Sequence, residues 1–341
     1  MSAAADAKLT VAVTGPTGDV GRAAVRALEA RPEVGEIIGM ARRPFDPAEH
    51  GWQRTVYRRG DILDRDAVDG LVADADVVVH LAFIIFGDHD EAHRVNVSGS
   101  RNVFEATAAS SASRLVYTSS VAAYGFDGRD RGWLTEDMPA AGTKGFYYSA
   151  HKAELEGLLA SSLAGSDTEA YVFRPCIVAG ADAPTLVGMF TTGNRLTAAL
   201  GPLRRGLERL PVVRPVLPDT GVPFQLVHHD DVATAIAAAV AGEGVAGVYN
   251  LAAPDEVTTA DLARELGWAT VPVPKAAVSA VAAAIDRAPL TPSIAEWINA
   301  FRTPVLMDST KAARELGIGE WRSGAETLAE TIAAARESGQ L

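Results

Sequence analysis

Three glycines at three-residue spacing, placed directly after an apolar run, constrain the fold of this chain more than any other feature. The run Leu9–Thr14 is rich in apolar and β-branched residues, and three glycines follow it: Gly15, Gly18 and Gly21. Apolar side chains then recur at helical spacing through residues 20–28. The sequence therefore predicts a strand, a tight turn and a helix in that order.

The predicted turn is suited to binding a phosphate group. A helix N-terminus presents free backbone N–H groups and a partial positive charge. Gly15 permits the turn, Gly18 the close approach of a pyrophosphate, and Gly21 the packing of helix on strand. We therefore predict dinucleotide binding at these glycines and at three further residues of the same stretch: Thr17, Asp19 and Val20.

Charge and composition argue against several classes of protein. The 341 residues carry a formal net charge of −12, which argues against nucleic acid or an anionic membrane as a partner because both attract basic surfaces. The single cysteine, Cys176, excludes an internal disulfide and a cysteine-based zinc site. It lies in an apolar run and is predicted to be a packed thiol. No metal is expected.

The sequence shows no signal for export or membrane insertion. Its N-terminus lacks a basic-then-apolar signal pattern, and it contains no apolar run of about 18 residues that could span a bilayer. Together with 48% hydrophobic and 22% charged residues, this predicts a cytoplasmic enzyme.

Apolar runs alternate with helical periods as far as residue 175, which is the pattern of a parallel, doubly wound α/β sheet. The predicted strands are Leu9–Thr14, Gly35–Ala41, Thr55–Asp61, Asp76–Ala82, Leu115–Ser119, Tyr171–Pro175, Phe224–His229 and Val248–Leu251. We predict a Rossmann-type NAD(P)-binding domain over residues 1–180, with further elements from about 225–251. Residues 181–341 are expected to form mainly a smaller substrate-binding lobe.

Helices are predicted from the same periodicity. They are Ala67–Ala73, Asp90–Ser111, Phe146 to about Leu163, Asp230–Val240, Thr259–Leu266, Ala276–Ile285, Ser293–Phe301 and about Ala325–Glu337. Asp230 is the expected N-cap of its helix. Residues 125–145, rich in glycine and charge, are predicted to be a surface loop.

The end of the second strand bears on the choice of cofactor. In a dinucleotide-binding fold, an acidic residue there binds the free ribose hydroxyls of NAD, whereas an arginine pairs with the 2′-phosphate of NADP. Ala41 stands at the acidic position and Arg42 follows it, so NADP is predicted, with NAD as the alternative. Two solvated arginines before a turn are the competing explanation. Asp61 and Ile62, after the third strand, are expected to line the adenine pocket.

Hydroxyl and amino groups occur at the predicted carboxyl edge of the sheet. Thr118 and Ser120 end the fifth strand, where parallel sheets bind ligands. Tyr148 and Lys152 are four residues apart on a predicted helix, so their side chains share one face. His80, in a continuous apolar run, is expected to be a hydrogen-bonded core residue rather than a base.

These motifs together resemble those of the extended short-chain dehydrogenase/reductases, a family that includes nucleotide-sugar epimerases and dehydratases. The matching stretches recur in family order over about residues 9–240, whereas the C-terminal hundred residues are less diagnostic. They are Thr14–Gly21, Gly60–Ile62, His80–Ala82, Asn96–Val103, Thr118–Ser120 with Tyr124–Gly125, Tyr148 with Lys152, Arg174–Pro175 and His229–Ala233. The resemblance implies an NAD(P)-dependent enzyme.

The resemblance also implies roles for the site residues. Tyr148 would exchange a proton with the substrate oxygen while the nicotinamide ring exchanges a hydride with carbon. Lys152 would hold the nicotinamide ribose and lower the pKa of the Tyr148 hydroxyl from its usual value of about 10. Ser120 would hydrogen-bond the substrate oxygen as charge develops on it. Further cofactor contacts are expected from Leu81, Ala82, Thr118 and Pro175.

Three kinds of function remain open. The first is a reductase for a small molecule with substantial apolar surface, favoured by Arg42 and by the apolar stretches Leu186–Phe190, Leu196–Leu203 and Pro211–Phe224. The second is a nucleotide-sugar epimerase or dehydratase that recycles its cofactor. The third is a non-catalytic cofactor-sensing module, which the presence of both Tyr148 and Lys152 disfavours. A homodimer is possible in each case.

The sugar-nucleotide alternative has one feature for it and one against it. Several arginines could clamp the two phosphates of such a substrate, or could simply be solvated: Arg195, Arg204, Arg205, Arg209 and Arg214. Epimerases of the family commonly place an asparagine soon after the sixth strand, and the stretch Arg174–Gly180 has none. This departure favours the reductase.

Overall fold

Short apolar runs form the strands of this α/β fold. The computed structural model describes residues 8–85, 88–126, 131–183, 186–188, 215–274 and 304–341. Its strands are β1 (Leu9–Thr14), β2 (Val34–Ala41), β3 (Thr55–Arg59), β4 (Val77–His80), β5 (Arg114–Thr118), β6 (Trp133–Leu134), β7 (Glu169–Pro175), β8 (Ile177–Ala179), β9 (Val216–Asp219), β10 (Leu226–His228), β11 (Gly247–Leu251), β12 (Ala269–Pro272) and β13 (Leu306–Met307).

Seven of these strands form one parallel sheet in the order β11-β7-β5-β4-β1-β2-β3. Every neighbouring pair is parallel, and Val13 of β1 lies opposite Gly39 on one side and Val79 on the other. The order reverses at β1, and open α/β sheets bind ligands outside the carboxyl ends of the strands at such a switch point. The predicted Rossmann-type sheet is confirmed.

Helices cover both faces of the sheet. They are α1 (Asp19–Glu29), α2 (Arg65–Val72), α3 (His89–His93), α4 (Ser100–Ala109), α5 (Tyr147–Ser162), α6 (His229–Ala241), α7 (Thr259–Leu266), α8 (Thr310–Glu315) and α9 (Gly324–Glu337). Within the described ranges, none is long and apolar enough to cross a membrane.

Alternation along the strands builds a core on each face. Val11 and Val13 of β1 pack into the layer that contains α1 and α6, whereas Ala12 packs into the layer that contains α2, α4 and α5. All three are fully buried. Because successive side chains of a strand point to opposite faces, a strand covered on both faces is apolar throughout.

The long helix predicted over Asp90–Ser111 is present over residues 89–109, but its hydrogen bonding is not uniform. A π-helical segment, Arg94–Gly99, lies between the α-helical parts α3 and α4. Within it, the side-chain amide of Asn96 binds both backbone groups of Ile84, accepting from its N–H at 2.8 Å and donating to its carbonyl at 2.9 Å. The π-helical segment, whose turns are wider than those of an α-helix, therefore uses Asn96 to hold the loop that follows β4, next to the carboxyl edge of the sheet.

Two further local predictions are corrected. Asp230 is not the N-cap of α6, because the helix begins one residue earlier and the imidazole Nδ1 of His228 accepts the N–H of Asp230 at 3.1 Å. Residues 125–145 are not wholly a surface loop. They contain β6, which pairs with the distant β13 and buries Leu134 to 1% exposure.

Smaller parallel pairs extend the molecule beyond the main sheet. β8 pairs with β10, and β9 pairs with β12. A separate apolar cluster forms around these strands with α7 and α9; it includes Ala179, Leu186, Leu226, Leu262 and Leu328. The helices predicted at Ala276–Ile285 and Ser293–Phe301, and the arginines between 195 and 214, lie outside the described residues.

Candidate active site

The glycine turn after β1 has the geometry that its sequence predicts. Gly15 adopts φ +73°, and a Cβ on it would lie 3.0 Å from the Cα of Ala82. A Cβ on Gly21 would lie 2.1 Å from the carbonyl oxygen of Gly15. The helix α1 begins at Asp19, and its N-cap Gly18 makes no side-chain capping bond. The turn thus brings a helix N-terminus to the switch point of the sheet.

A cavity of about 430 Å³ lies at this point, where the carboxyl ends of β1, β4, β5 and β7 meet. It is lined by eleven of the predicted site residues: Gly15, Gly18, Asp19, Val20, Gly21, Leu81, Thr118, Ser120, Tyr148, Lys152 and Pro175. The structure therefore brings the predicted phosphate turn and the predicted Ser, Tyr and Lys group together around one space.

Five predicted site residues are not on the wall of this cavity. Thr17 is exposed on the glycine turn, and Arg42 is exposed at the end of β2. Asp61 accepts the N–H of Leu63 at 3.0 Å, and the side chain of Ile62 is buried. Ala82 lies behind Gly15. Thr17 and Ala82 thus adjoin the wall, whereas the other three lie towards the β2–β3 side of the sheet.

The proposed acid–base group comes from two elements. Tyr148 and Lys152 lie one turn apart on α5 and are 9% and 3% exposed. The Lys152 ammonium donates to the carbonyl of Thr118 at 2.9 Å and lies 3.7 Å from the ring centre of Phe83. Ser120, after β5, accepts the N–H of Ala122 at 3.1 Å and forms a side-chain hydrogen bond with Tyr148.

The electrostatics of this group differ from the prediction. Burial raises the pKa of Tyr148, and the hydrogen bond with Ser120 only partly opposes that rise. Burial also lowers the pKa of Lys152 to about 7, although the Glu156 carboxylate pulls it upward. The Tyr148 pKa is therefore raised and not lowered as predicted, because removal from water outweighs the hydrogen bond with Ser120, and Lys152 is not among the groups that shift this pKa.

A buried ion pair supports the site and was not predicted. The Glu156 carboxylate, one turn after Lys152 on α5, accepts from Ser119 at 2.5 Å and from two nitrogens of Arg174 at 3.0 and 2.6 Å. The two charged side chains are 10% and 3% exposed. Ser119 precedes Ser120, so one carboxylate ties α5 to the ends of β5 and β7. The sequence signal that could have pointed to Glu156 is its position four residues after Lys152, which places both side chains on the same face of α5.

The wall beside Tyr148 is apolar. The ring of Phe83 meets the ring of Tyr148 edge-on, with centres 5.6 Å apart. Other apolar residues of the cavity wall are Ile85, Val121, Ala122, Phe126, Ile177, Val178 and Leu186. Of these, only Leu186 lies in an apolar stretch that favoured the reductase on sequence grounds. Cys176 also lines the wall and is 8% exposed, with its pKa raised well above the usual range by burial. It is a packed thiol, as expected.

His80 takes part in the scaffold of the site rather than in its wall. Its Nδ1 lies 2.7 Å from the Thr14 hydroxyl and its Nε2 lies 2.8 Å from the Ser100 hydroxyl. Burial lowers the pKa of His80 to about 3, so the ring is neutral. It is a hydrogen-bonded core residue, as the sequence predicted.

The cavity has features that fit a dinucleotide. The N-terminus of α1 offers backbone N–H groups, and the absence of a Cβ at Gly18 leaves that approach open. The hydroxyl oxygen of Thr118 is buried without a hydrogen-bond partner among the described residues, although Thr118 lines the cavity. A ribose hydroxyl or carboxamide would supply that partner.

Comparison with known proteins agrees with this geometry. Residues 11–252 match the NAD dependent epimerase/dehydratase family. The chain belongs to that family. Membership of the NAD dependent epimerase/dehydratase family confirms the resemblance stated above, and with it the predicted class of NAD(P)-dependent oxidoreductase-type enzyme.

Two curated relatives of this family member are reductases or dehydrogenases by name. The chain is 31% identical to a 2-alkyl-3-oxoalkanoate reductase of Shewanella oneidensis over 192 residues, which are 54% of this chain and 48% of the relative. It is 34% identical to human 3 beta-hydroxysteroid dehydrogenase type 7 over 167 residues, 45% of this chain and 44% of the relative. The matches thus span about half the length of these relatives.

A solved structure of the same fold is a dehydratase. The DesIV dTDP-glucose 4,6-dehydratase of Streptomyces venezuelae, which has NAD bound, aligns with a TM-score of 0.70 at 23% identity, covering 97% of this chain and 98% of that one. The likeness places this epimerase/dehydratase-family chain in the same fold.

Proposed function

We propose that the enzyme uses NADPH to reduce the carbonyl group of a small molecule with substantial apolar surface. The apolar wall beside Tyr148 carries this proposal. Phe83, Ile85 and Phe126 line the cavity and pack in one apolar cluster with Tyr148, and such a wall favours a hydrocarbon over a hydroxyl-rich sugar. Two relatives are named for an alkyl-oxoalkanoate and a hydroxysteroid, which supports the same class.

Each residue has one part in the proposed reaction. When bound, the nicotinamide cofactor supplies the hydride for the carbonyl carbon. Tyr148 supplies the proton for the carbonyl oxygen, and its raised pKa keeps it protonated beforehand. Ser120 donates a hydrogen bond to the same oxygen. Lys152, which lines the cavity, would hold the ribose hydroxyls.

In the proposed reduction, Tyr148 acts as the general acid. A general acid must carry its proton before transfer, whereas a general base must have lost it. Burial disfavours the phenolate, so at neutral pH the Tyr148 hydroxyl carries the proton that it donates.

The substrate pocket extends beyond residue 176. Ile177, Val178 and Leu186 complete the apolar wall, and we propose that the C-terminal lobe contributes the rest of the pocket.

The preference for NADPH rests on arginines at the end of β2. Arg42 and Arg43 are exposed, and Arg59 of β3 lies opposite Ala41 in the strand register. Among the described residues, none of these three arginines forms an ion pair with a carboxylate. Free guanidinium groups at this edge are suited to a 2′-phosphate, which they bind with two directed hydrogen bonds.

The choice of cofactor is tested with Arg42→Ala. We expect the Kd for NADPH to rise about tenfold or more while the Kd for NADH changes by less than about twofold, because only NADPH carries the 2′-phosphate. Both constants are measured by titration of cofactor fluorescence, with Arg101→Ala as the exposed-arginine control. Equal weakening for the two cofactors would contradict the assignment.

The reaction is tested by following NADPH absorbance with a panel of substrates. We expect stoichiometric NADPH oxidation with alkyl, aromatic or alicyclic ketones, and mass spectrometry should show the alcohol. UDP- and dTDP-hexoses are assayed in parallel. Conversion of a nucleotide sugar without net loss of NADPH would replace the proposed reductase with an epimerase or dehydratase.

A further inference from the structure

A buried imidazole on α5 lies outside the proposed reaction. His151 is 6% exposed, and its Nδ1 is buried with no hydrogen-bond partner in the described part of the chain. A buried polar atom without a partner destabilises the folded state, and native proteins satisfy nearly all such atoms. His151 precedes Lys152 but does not line the cavity. The structure gives it no role within the proposed acid–base chemistry.

Two exposed histidines lie beside it on α3. The ring centre of His93 is 5.1 Å from that of His151, with the planes 70° apart. His89 lies four residues before His93, so the two share one helix face, an arrangement that binds zinc in helical metal sites. The His89 ring lies 4.4 Å from the ring of Tyr147, which is itself 5.7 Å from His151.

The spacing of the first pair suits a shared metal ion. With zinc–nitrogen bonds of about 2.0–2.1 Å and tetrahedral angles, two coordinated imidazoles have ring centres about 5 Å apart. The observed separation between the two ring centres is 5.1 Å. His93 is exposed, so an ion can arrive from solvent without opening the core.

The imidazole of His151 is also in the neutral form that binds metal ions. Burial lowers its pKa to about 4, and the neighbouring His93, His89 and Lys152 lower it in the same direction. The ring is therefore neutral at physiological pH. Metal ions bind neutral imidazole, so no proton has to be displaced from His151.

We propose that His93 and His151 bind a late first-row divalent cation such as Zn²⁺, with His89 as the third ligand and water in the fourth position. His89 reaches the ion by rotation of its side chain away from Tyr147. Imidazole suits zinc, copper and nickel, and three histidines with one open position form a known type of zinc site. The site joins α3 to α5 and is independent of the proposed reductase function.

A second histidine cluster is a weaker candidate. Unlike the three histidines above, which need a rotation of His89, the side chains of His228, His229 and Asp230 already place possible ligand atoms within 4.8 Å of one another. However, Arg26 and Arg322 approach the Asp230 carboxylate at 2.7 and 3.1 Å. Two guanidinium groups already neutralise that carboxylate and would repel a metal cation. The cluster is a charge network that joins α6 to its neighbours.

The metal site is tested by calorimetric titration of Zn²⁺ into tag-free, EDTA-treated full-length protein. We expect one site, and we expect His93→Gln and His151→Gln each to weaken zinc binding at least tenfold, with a smaller loss for His89→Gln. His50→Gln is the control, because His50 is an exposed histidine whose ring stacks on Trp52. It should leave the affinity unchanged.

Two further measurements separate binding from folding. His93 is exposed, so His93→Gln should fold normally, and zinc should raise the Tm of the wild type but not of this variant. Cobalt should give the intense visible bands of a tetrahedral site in the wild type only. Unchanged zinc affinity in His93→Gln, or the absence of a zinc-binding site in the wild type, would overturn the proposal.

Discussion

Lys152 has almost no contact with solvent, and its ammonium is held by the Thr118 carbonyl and the face of the Phe83 ring. These contacts replace only part of the hydration that the charge has in water. The pKa of Lys152 is accordingly lowered to about 7, against 10.5 for an ordinary lysine. The folded protein therefore releases this proton more readily than the unfolded chain does.

This shift makes stability depend on pH. Below pH 7, Lys152 is charged in both states and its burial cost is fully present. Between pH 7 and about 10 the unfolded chain binds more protons, so stability rises with pH by up to about 1.4 kcal/mol per unit. We expect wild type to gain about 2 kcal/mol relative to Lys152→Met between pH 7 and pH 9, measured by urea unfolding.

The control for this measurement is Lys8→Met, at an exposed position ahead of β1. Its stability relative to wild type should stay constant over the same pH range. A constant difference for Lys152→Met as well would show that Lys152 is not desolvated in the folded protein.

The Tyr148 hydroxyl is the proposed proton donor, and Tyr148→Phe removes that group alone. We expect kcat to fall by about two orders of magnitude or more, the usual scale of a lost general acid, with little change in the Kd for NADPH. Tyr171→Phe is the matched control, because the Tyr171 hydroxyl donates to the Gly244 carbonyl and Tyr171 does not line the cavity. Near-normal turnover in Tyr148→Phe would refute the mechanism.

At the scale of elements, α5 is positioned by a residue outside the proposed reaction. Glu156 binds Ser119 at the end of β5 and Arg174 at the end of β7. The helix that carries Tyr148 is thereby fixed relative to Ser120. A buried pair of this kind is weak evidence for stability, but removal of one partner strands the other charge in the core.

We expect Glu156→Gln to lose about 3 kcal/mol of unfolding free energy, because Arg174 is then buried without its carboxylate. Glu154→Gln, an exposed position on the same helix, should change stability by less than about 0.5 kcal/mol. Both are measured by urea unfolding. The double variant Glu156→Gln with Arg174→Met should recover part of the loss, and failure to do so would count against the ion-pair explanation.

Local signals explain which elements the sequence predicts. The helix Thr259–Leu266 has the predicted bounds because Thr258 and Asp261 form a capping box within one turn. The strand β6 was missed because its partner β13 is more than 170 residues away. The π-helical segment was missed because apolar spacing alone does not distinguish it from a regular helix.

At the candidate site too, local features could be predicted from the sequence and features that depend on distant residues could not. The spacing of Tyr148 and Lys152 is local, so their shared face follows from the sequence. The Tyr148 pKa depends on how completely the fold removes its hydroxyl from water, and spacing does not show this. Likewise, the partners of Glu156 come from two other elements, and only the sheet order brings them together.

At the scale of the whole molecule, β11 completes the main sheet from far along the chain. It pairs with β7 in register from Tyr171 opposite Gly247 to Pro175 opposite Leu251. The ring of Tyr249 is fully buried and stacks on that of Tyr171, with centres 6.3 Å apart. The other six strands of the main sheet end by residue 175, so residues much later in the chain are needed to cover the edge of β7.

A chain ending at residue 240 tests this dependence. Without β11 the polar backbone edge of β7 is unpaired, which is a template for strand addition by other molecules. We expect this truncated chain to aggregate, as measured by size exclusion and light scattering. A chain ending at Glu337 is the control and should remain monodisperse. A monodisperse, folded chain ending at residue 240 would show that β11 is dispensable.

This pairing also has a consequence for biosynthesis. A ribosome adds about 5–20 residues per second, so on the order of ten seconds pass between the synthesis of β7 and that of β11. Throughout that interval the nascent polypeptide carries an open sheet edge, and polysomes hold several such edges close together. Co-translational chaperones would therefore act most usefully after β7 emerges and before β11 does, and slow codons between the two would lengthen the period of risk.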